Sequence, residues 1–538
     1  MINKLHSQYI YSAIRKTRTF ALLAKPAFLI FSYFYGRYLA SSLQDQKRQN
    51  MRFRLYITIL IAGMVSSLGA EAYKIGISMP AFRNDTIILG HRFNANFIPK
   101  DTVILDAGGK GIFSGDDELP HGMYLVYLPD QSFFDLLISD DQFFSFENDT
   151  SDFVANMKIR ESKENESFYA YQRFLIKNRE KAMALQSDIS NADSPSDSIA
   201  IKNQLEELNA GVQKHIDEQI EENSDNLFGV FLLALQEIKV PEPPLDENGK
   251  PIDPAFQYKY YKEHYFDNFD ISDVRLLRTP FYQQKVMTYI EKVAFQHPDS
   301  LINECDMLIE ASRSDPALFR YMLITLFNHF AKSQIMGMDK VYIHIAEKYY
   351  IPEADWSDPG FISDLQERVN KLKPTVIGTR ATDIQLVRVE ADHFINSSDN
   401  EELKKNPYVG AFFQLNDIKS KFTILYFWEA DCGHCKKSTP ALYEVYGRLK
   451  NKDVEVVAVH TLGGEEGKAK WIDYINENGF YDWTNAWNPY DFTFKNIYDI
   501  SSTPQLFVLD EDKKIIAKKI SPEQAEKIIE SLLKNESN

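Results

Sequence analysis

Cys432 and Cys435 stand in the run Phe427-Trp428-Glu429-Ala430-Asp431-Cys432-Gly433-His434-Cys435-Lys436-Lys437. Two thiols at that spacing, after an apolar strand and at the start of a helix, suit thiol–disulfide exchange, in which one attacks and the other resolves. The chain of 538 residues has three cysteines, so two of them standing together sets this stretch apart. A thiolate is the attacking species, and a helix N-terminus with its unpaired N–H groups favours one at Cys432. Lys436 and a protonated His434 add positive charge, while Asp431, just before Cys432, opposes it. Cys435, inside the first helical turn, is the shielded thiol expected to resolve a mixed disulfide.

Other thiol chemistries lack their partners. Zinc needs a second ligand pair, and Cys305 is far away in the chain. Covalent haem attachment needs a histidine where Lys436 stands. No P-x-x-x-T-x-x-C run, as a thiol peroxidase would carry, precedes Cys432. Neither a metal nor a cofactor is therefore expected.

The elements that must position the pair follow from the pattern of the chain. Phe422 to Phe427 reads as a buried strand and Cys435 to Leu449 as a helix. Val454 to His460 is a second buried strand, and Lys468 to Glu477 a helix. A helical turn over Asp491 to Tyr498, strands at Gln505 to Leu509 and Lys514 to Lys518, and a helix over Pro522 to Lys534 complete an α/β layer with a parallel crossover. Upstream, residues 73–150 are short strands broken by turns, among them Thr86 to Leu89, Thr102 to Leu105, Met123 to Leu128, Phe133 to Ile138 and Phe143 to Phe146. That spacing predicts a small antiparallel sandwich or barrel, with Gly108 to Gly111 as a hairpin and not a phosphate cradle. Residues 151–373 turn helical, opening with a hairpin of Phe168 to Gln186 and Ile199 to Ile220. Pro280, Pro298 and Pro316 each fall near a first helical position. The cluster Tyr258, Tyr260, Tyr261, Tyr265, Phe266 and Phe269 reads as packing, and Cys305 as a buried structural thiol. The fold expected is multidomain: a small all-β sandwich-like domain (73–150), an α-helical middle region (151–373) and a C-terminal α/β domain (374–538).

The N-terminus points to export. Met51 opens a secretory signal, with Arg52 and Arg54 as its positive start, Leu55 to Val65 as its apolar core and Ala70-Glu71-Ala72 as its cleavage site. Residues 1–50 then read as an over-extended gene start and 51–72 as a signal peptide. The competing reading of residues 1–50 is a basic, amphipathic anchor that holds the chain to a membrane surface. No uncharged apolar run reaches the ~18 residues of a spanning helix. The net charge of -17 argues against nucleic acid as a partner.

The C-terminal pattern resembles the thioredoxin family, in its exported TlpA/ResA-like branch. Phe427-Trp428 followed by Cys432-Gly433-His434-Cys435 matches the family's active-site run, and Pro440 matches its helix-kinking proline. Ser502-Thr503-Pro504 before a strand matches the cis-proline loop that faces the dithiol, and Leu462 to Gly479 the helix that this branch inserts. The resemblance covers about residues 374–538. It implies a thioredoxin-like fold, catalytic Cys432 and Cys435, and support from Trp428, His434, Lys436, Pro440, Thr503 and Pro504. Tyr426 stands where thioredoxins carry a buried aspartate, which leaves Glu429 and Asp431 as candidate proton acceptors for Cys435.

The resemblance further implies protein disulfide or dithiol substrates, an upstream electron donor, and the periplasm or cell envelope of a Gram-negative bacterium. The Gly-His dipeptide between the cysteines is that of disulfide isomerases and implies a potential less reducing than thioredoxin's. The competing reading, from another class, is a cell-envelope binding or assembly protein that keeps a vestigial redox module.

Overall fold

The computed structural model describes residues 71–536 except 94, 95, 193, 399 and 406–409. The expected gene start and all of the signal peptide but Glu71 and Ala72 lie outside the described residues. The chain divides into two units. In the smaller, residues 71–73 and 114–118 are described, and the Ala72 N–H donates to the Gly115 carbonyl at 2.7 Å. The larger is Lys74–Phe113 with Leu119–Asn538.

Eight strands come first: β1 (Tyr73–Ser78), β2 (Thr86–Phe93), β3 (Asn96–Ile104), β4 (Lys110–Gly115), β5 (Gly122–Tyr127), β6 (Phe133–Ile138), β7 (Phe143–Glu147) and β8 (Lys158–Arg160). They form two four-stranded sheets, ordered β4-β1-β7-β8 and β3-β2-β5-β6. The second sheet is antiparallel as expected, but β1 pairs with β7 in parallel, which corrects the all-antiparallel expectation. The Gly108–Gly111 segment is not a hairpin between paired strands either, because β3 and β4 belong to different sheets. Its turn is closed by Asp106, whose carboxylate accepts from Gly108 N and Lys110 N at 2.8 and 2.9 Å. Gly109 has φ +77°, and a Cβ there would fall 2.6 Å from the Met79 carbonyl oxygen, so only glycine fits.

The middle region is helical and opens with the long pair Lys163–Ser190 and Pro195–Glu222. Both helices are capped by serine: the Ser162 and Ser194 side chains accept from Asn165 N and Asp197 N. Pro298 and Pro316 do start their helices, and Asp315 caps the second through Ala317 N and Leu318 N, whereas Pro280 precedes the N-cap Phe281 of the helix Tyr282–Thr288. Behind them lies one apolar core that includes Tyr265, Phe269, Tyr282, Cys305, Leu323 and Val341. The tyrosine cluster is mixed: Tyr265 and Phe269 are buried in this core, while Tyr258 and Tyr261 remain exposed.

The C-terminal sheet has seven strands: β9 (Gln385–Arg388), β10 (Ala411–Gln414), β11 (Phe422–Trp428), β12 (Val454–His460), β13 (Thr484–Trp487), β14 (Gln505–Leu509) and β15 (Ile515–Lys518). Their order is β10-β9-β13-β12-β11-β14-β15, with β11, β12 and β13 mutually parallel at the centre. Every residue of β11 is buried, as a sheet covered on both faces requires. Ile424, Tyr426 and Trp428 point into one core and Leu425 and Phe427 into the other, the period of two of a strand. Helices Cys435–Leu449, Gly464–Asn478 and Pro522–Glu536 pack on the first of these faces through Leu442, Ile475 and Ile529.

Candidate active site

The parallel strands set the site. Trp428, His460 and Trp487 are the last residues of β11, β12 and β13 and stand side by side in register. The chain leaves this carboxyl edge through Glu429–His434 and enters the helix Cys435–Leu449, so the dithiol sits where α/β sheets place their chemistry. His434 occupies the N-cap with no side-chain capping hydrogen bond, and Cys435 is the first helical residue. The Lys436 N–H returns to the Cys432 carbonyl at 3.0 Å, closing the turn that holds the two thiols on one side.

The two cysteines are free thiols in unlike surroundings: Cys432 is half-buried and Cys435 fully buried. Burial opposes ionisation of Cys432, but hydrogen bonds from the Cys435 backbone and thiol, the Thr503 side chain and the His434 backbone outweigh it and bring its pKa below the ordinary thiol value. Burial pushes the Cys435 thiol up to about 12. The asymmetry expected from the sequence is present, but its cause differs. His434 contributes through its backbone, and both the His434 and Lys436 side chains are exposed.

Across from the thiols, the Thr503–Pro504 peptide bond is cis. The Cys432 Sγ donates to the Thr503 carbonyl at 3.4 Å, which ties residues 71 apart in sequence. Pro440 lies inside the active-site helix, where it cannot return a hydrogen bond to Lys436. Trp428 is completely buried; its ring stacks with Tyr426 (centroids 6.5 Å, 17°) and meets His460 edge-on at 5.7 Å.

Neither candidate acceptor for the Cys435 proton has a free carboxylate. Glu429 Oε1 accepts from Thr461 Oγ1 at 2.7 Å, and Asp431 pairs with Lys470 at 3.2 Å. Glu429 reaches the Cys435 thiol through its backbone, beside the Cys432 and Thr503 side chains, and not through its carboxylate. Tyr426 lies with its hydroxyl 3.0 Å from Thr439 Oγ1, and burial raises its pKa.

Three participants were not picked out in the sequence. His460 Nε2 accepts from Ala430 N at 3.4 Å, and its ring stacks on Trp471 at 5.4 Å and 7°. Burial lowers the His460 pKa to about 3, so the imidazole is neutral. Thr461 holds Glu429, and Lys470 holds Asp431. The sequence signal for His460 is a single polar residue closing the apolar run Val456–Val459, legible only once β12 is set in register with β11.

A dithiol on the carboxyl edge of such a sheet, opposite an X-Pro loop, defines a thioredoxin-like thiol–disulfide oxidoreductase. Comparison with known proteins agrees. A family described as thioredoxin-like matches residues 420–515, and a domain of unknown function (DUF5106) matches residues 209–368. The thiol-disulfide oxidoreductase ResA of Bacillus thuringiensis is 30% identical over 127 residues, which are 23% of this chain and 69% of that protein. The sporulation thiol-disulfide oxidoreductase A of Bacillus subtilis is 29% identical over 146 residues, 24% of this chain and 81% of that protein. A thioredoxin-like protein of Bacteroides caccae, solved by crystallography, aligns over 55% of this chain and 98% of its own at 18% identity and a TM-score of 0.38. The chain belongs to the ResA-like family of thiol-disulfide oxidoreductases.

Proposed function

We propose that the chain is an exported enzyme that exchanges the Cys432–Cys435 dithiol or disulfide with protein substrates in the periplasm or cell envelope of a Gram-negative bacterium. The observation that carries this reading is the opposition of the two thiols, one half-exposed with a lowered pKa and one buried with a raised pKa. In the reducing direction the Cys432 thiolate attacks one sulfur of a substrate disulfide. A mixed disulfide forms and the first substrate thiolate leaves. Cys435 then loses its proton and attacks Cys432 Sγ. The second substrate thiolate departs, the Cys432–Cys435 disulfide forms, and two electrons have passed to the substrate. An upstream dithiol donor restores the reduced pair.

Trp428, His434, Lys436, Pro440, Thr503 and Pro504 support the pair in this reading. Pro504 has no N–H, so an extended substrate would pair with the backbone groups on either side of it. Export rests on the arginines, apolar stretch and A-x-A site of residues 51–72. We take residues 73–150, 151–373 and 374–538 as the domains of the mature chain. Insulin-disulfide reduction tests the activity: wild type reduces insulin, and Cys432→Ser falls to background. Equal rates in both would favour the binding or assembly reading. A mature N-terminus at Tyr73 tests export.

A further inference from the structure

At the end of the C-terminal sheet remote from the dithiol, where β11 and β12 begin and the β14–β15 hairpin turns, a cleft of about 730 Å³ opens. Five cations and three carboxylates line it. Among them Lys513 is only 3% exposed, yet no ion pair or side-chain hydrogen bond holds its ammonium among the described residues. Burial lowers its pKa, and the charges of Lys419 and, less strongly, Arg380 act in the same direction, opposed by Asp510 and Asp453. Among the described residues, Arg380 and Lys419 also find only neutral partners. Arg380 Nη2 reaches Asn416 Oδ1 at 3.5 Å, and Lys419 Nζ donates to the Asn416 carbonyl at 3.2 Å. Of the carboxylates, Asp512 is occupied by Lys514 at 3.2 Å, which leaves Asp453 and Glu511 on the cleft.

The backbone holds these cations in place. Lys513 has φ +61°, in the left-handed region where glycine or asparagine would sit with less strain. Asp510 closes the turn, accepting from Lys513 N through its carbonyl and from Lys514 N through its carboxylate. The segment 378–381 runs against the hairpin, with Ala381 N donating to the Lys513 carbonyl at 2.8 Å and Ile515 N to the Thr379 carbonyl at 2.9 Å. Arg380 and Lys513 are thereby fixed beside one another. Cations gathered on one cleft repel one another, and an anion that joins them relieves that repulsion.

We propose that this cleft binds a phosphate-class oxyanion, held by Arg380, Lys419 and Lys513. The guanidinium offers a fork for two oxyanion oxygens, and the two ammonium groups act as point charges. The anion is either free phosphate or the phosphate of a lipid headgroup. The site is independent of the redox reading, since it lies at the other end of the sheet.

Calorimetry with inorganic phosphate on the mature chain, at matched ionic strength, tests it. Wild type is expected to bind saturably. Arg380→Gln and Lys513→Asn, the latter suited to the left-handed backbone, should each weaken binding by about tenfold or more. Insulin reduction should be unchanged in both, which shows that they fold. In flotation with phosphatidylglycerol vesicles, against phosphatidylcholine controls, variant-sensitive binding identifies a lipid headgroup as the source. Phosphate binding without flotation identifies the free anion. Absence of both in wild type, or binding that neither substitution weakens, overturns the proposal.

Discussion

The Cys432 thiol donates to the Thr503 carbonyl at 3.4 Å, one residue before the cis-linked Pro504. The attacking sulfur is thus held against the loop that a substrate chain would meet, while Cys435 lies behind it in the core.

The first prediction concerns thiolate reactivity. Because its surroundings lower the Cys432 pKa, alkylation by iodoacetamide should titrate with a midpoint below the ordinary thiol value of ~8.5. Cys435 and Cys305, both buried with raised pKa values, should react only after unfolding. Mass spectrometry of the labelled peptides across pH separates the three. Equal labelling of Cys432 and Cys435 at pH 7 in the native chain would contradict the assignment of roles.

His460 should make the enzyme acid-sensitive. Its folded pKa, about 3, lies below the ordinary histidine value. Its contribution to stability is therefore complete above pH ~6.5 and is lost as pH falls from there through the folded value, because only the unfolded state takes the proton. Thermal unfolding of wild type should lose more between pH 7 and pH 4 than that of His460→Gln, which keeps an acceptor for Ala430 N. The difference between the two proteins cancels the buried His91 and the carboxylates, which titrate in both. Parallel pH curves would show that His460 does not carry the effect.

The site was legible where local chemistry and chain pattern coincided. The helix Cys435–Leu449 and the strands Val454–His460 and Gln505–Leu509 have the predicted bounds, because each is a long apolar or amphipathic run with a defined start. Strand β13 was not legible. Its residues Thr484-Asn485-Ala486-Trp487 have no apolar run, and they tolerate burial because Glu455 accepts from Thr484 Oγ1 and Asn485 reaches the Phe480 carbonyl. Strands β9 and β10 are four residues each, too short for periodicity to register. The partners of Asp431 and Glu429 come from Lys470 and Thr461, and a sequence states neither the register of β11 with β12 nor the face that Lys470 takes.

That Lys470 pairing bears on the charge beside Cys432. Asp431 stands next to the attacking thiol, yet its carboxylate is partly offset by Lys470, which also takes Glu466 at 2.8 Å. Lys470→Ala should unmask Asp431 and slow alkylation of Cys432 at neutral pH, whereas Asp431→Asn should not slow it. The pair is exposed, so the effect should be a few-fold at low ionic strength and fade with salt. Identical rates in wild type and Lys470→Ala at low salt would remove Asp431 as a modulator.

The last prediction addresses the potential. His434 sits exposed at the N-cap of the active-site helix and contributes no capping hydrogen bond, so its replacement disturbs little packing. Gly-His and Gly-Pro dithiols differ by about 90 mV, or roughly 4 kcal/mol on the two-electron scale. His434→Pro should therefore make the Cys432–Cys435 pair more reducing by tens of millivolts, as read from equilibrium with glutathione buffers. A proline at the N-cap removes the His434 backbone N–H that helps stabilise the Cys432 thiolate. Its alkylation midpoint should then rise together with the fall in potential. The two shifts are linked, because a less stable thiolate is a less stable reduced form. A wild-type potential at or below that of thioredoxin, unmoved by His434→Pro, would refute the less reducing poise.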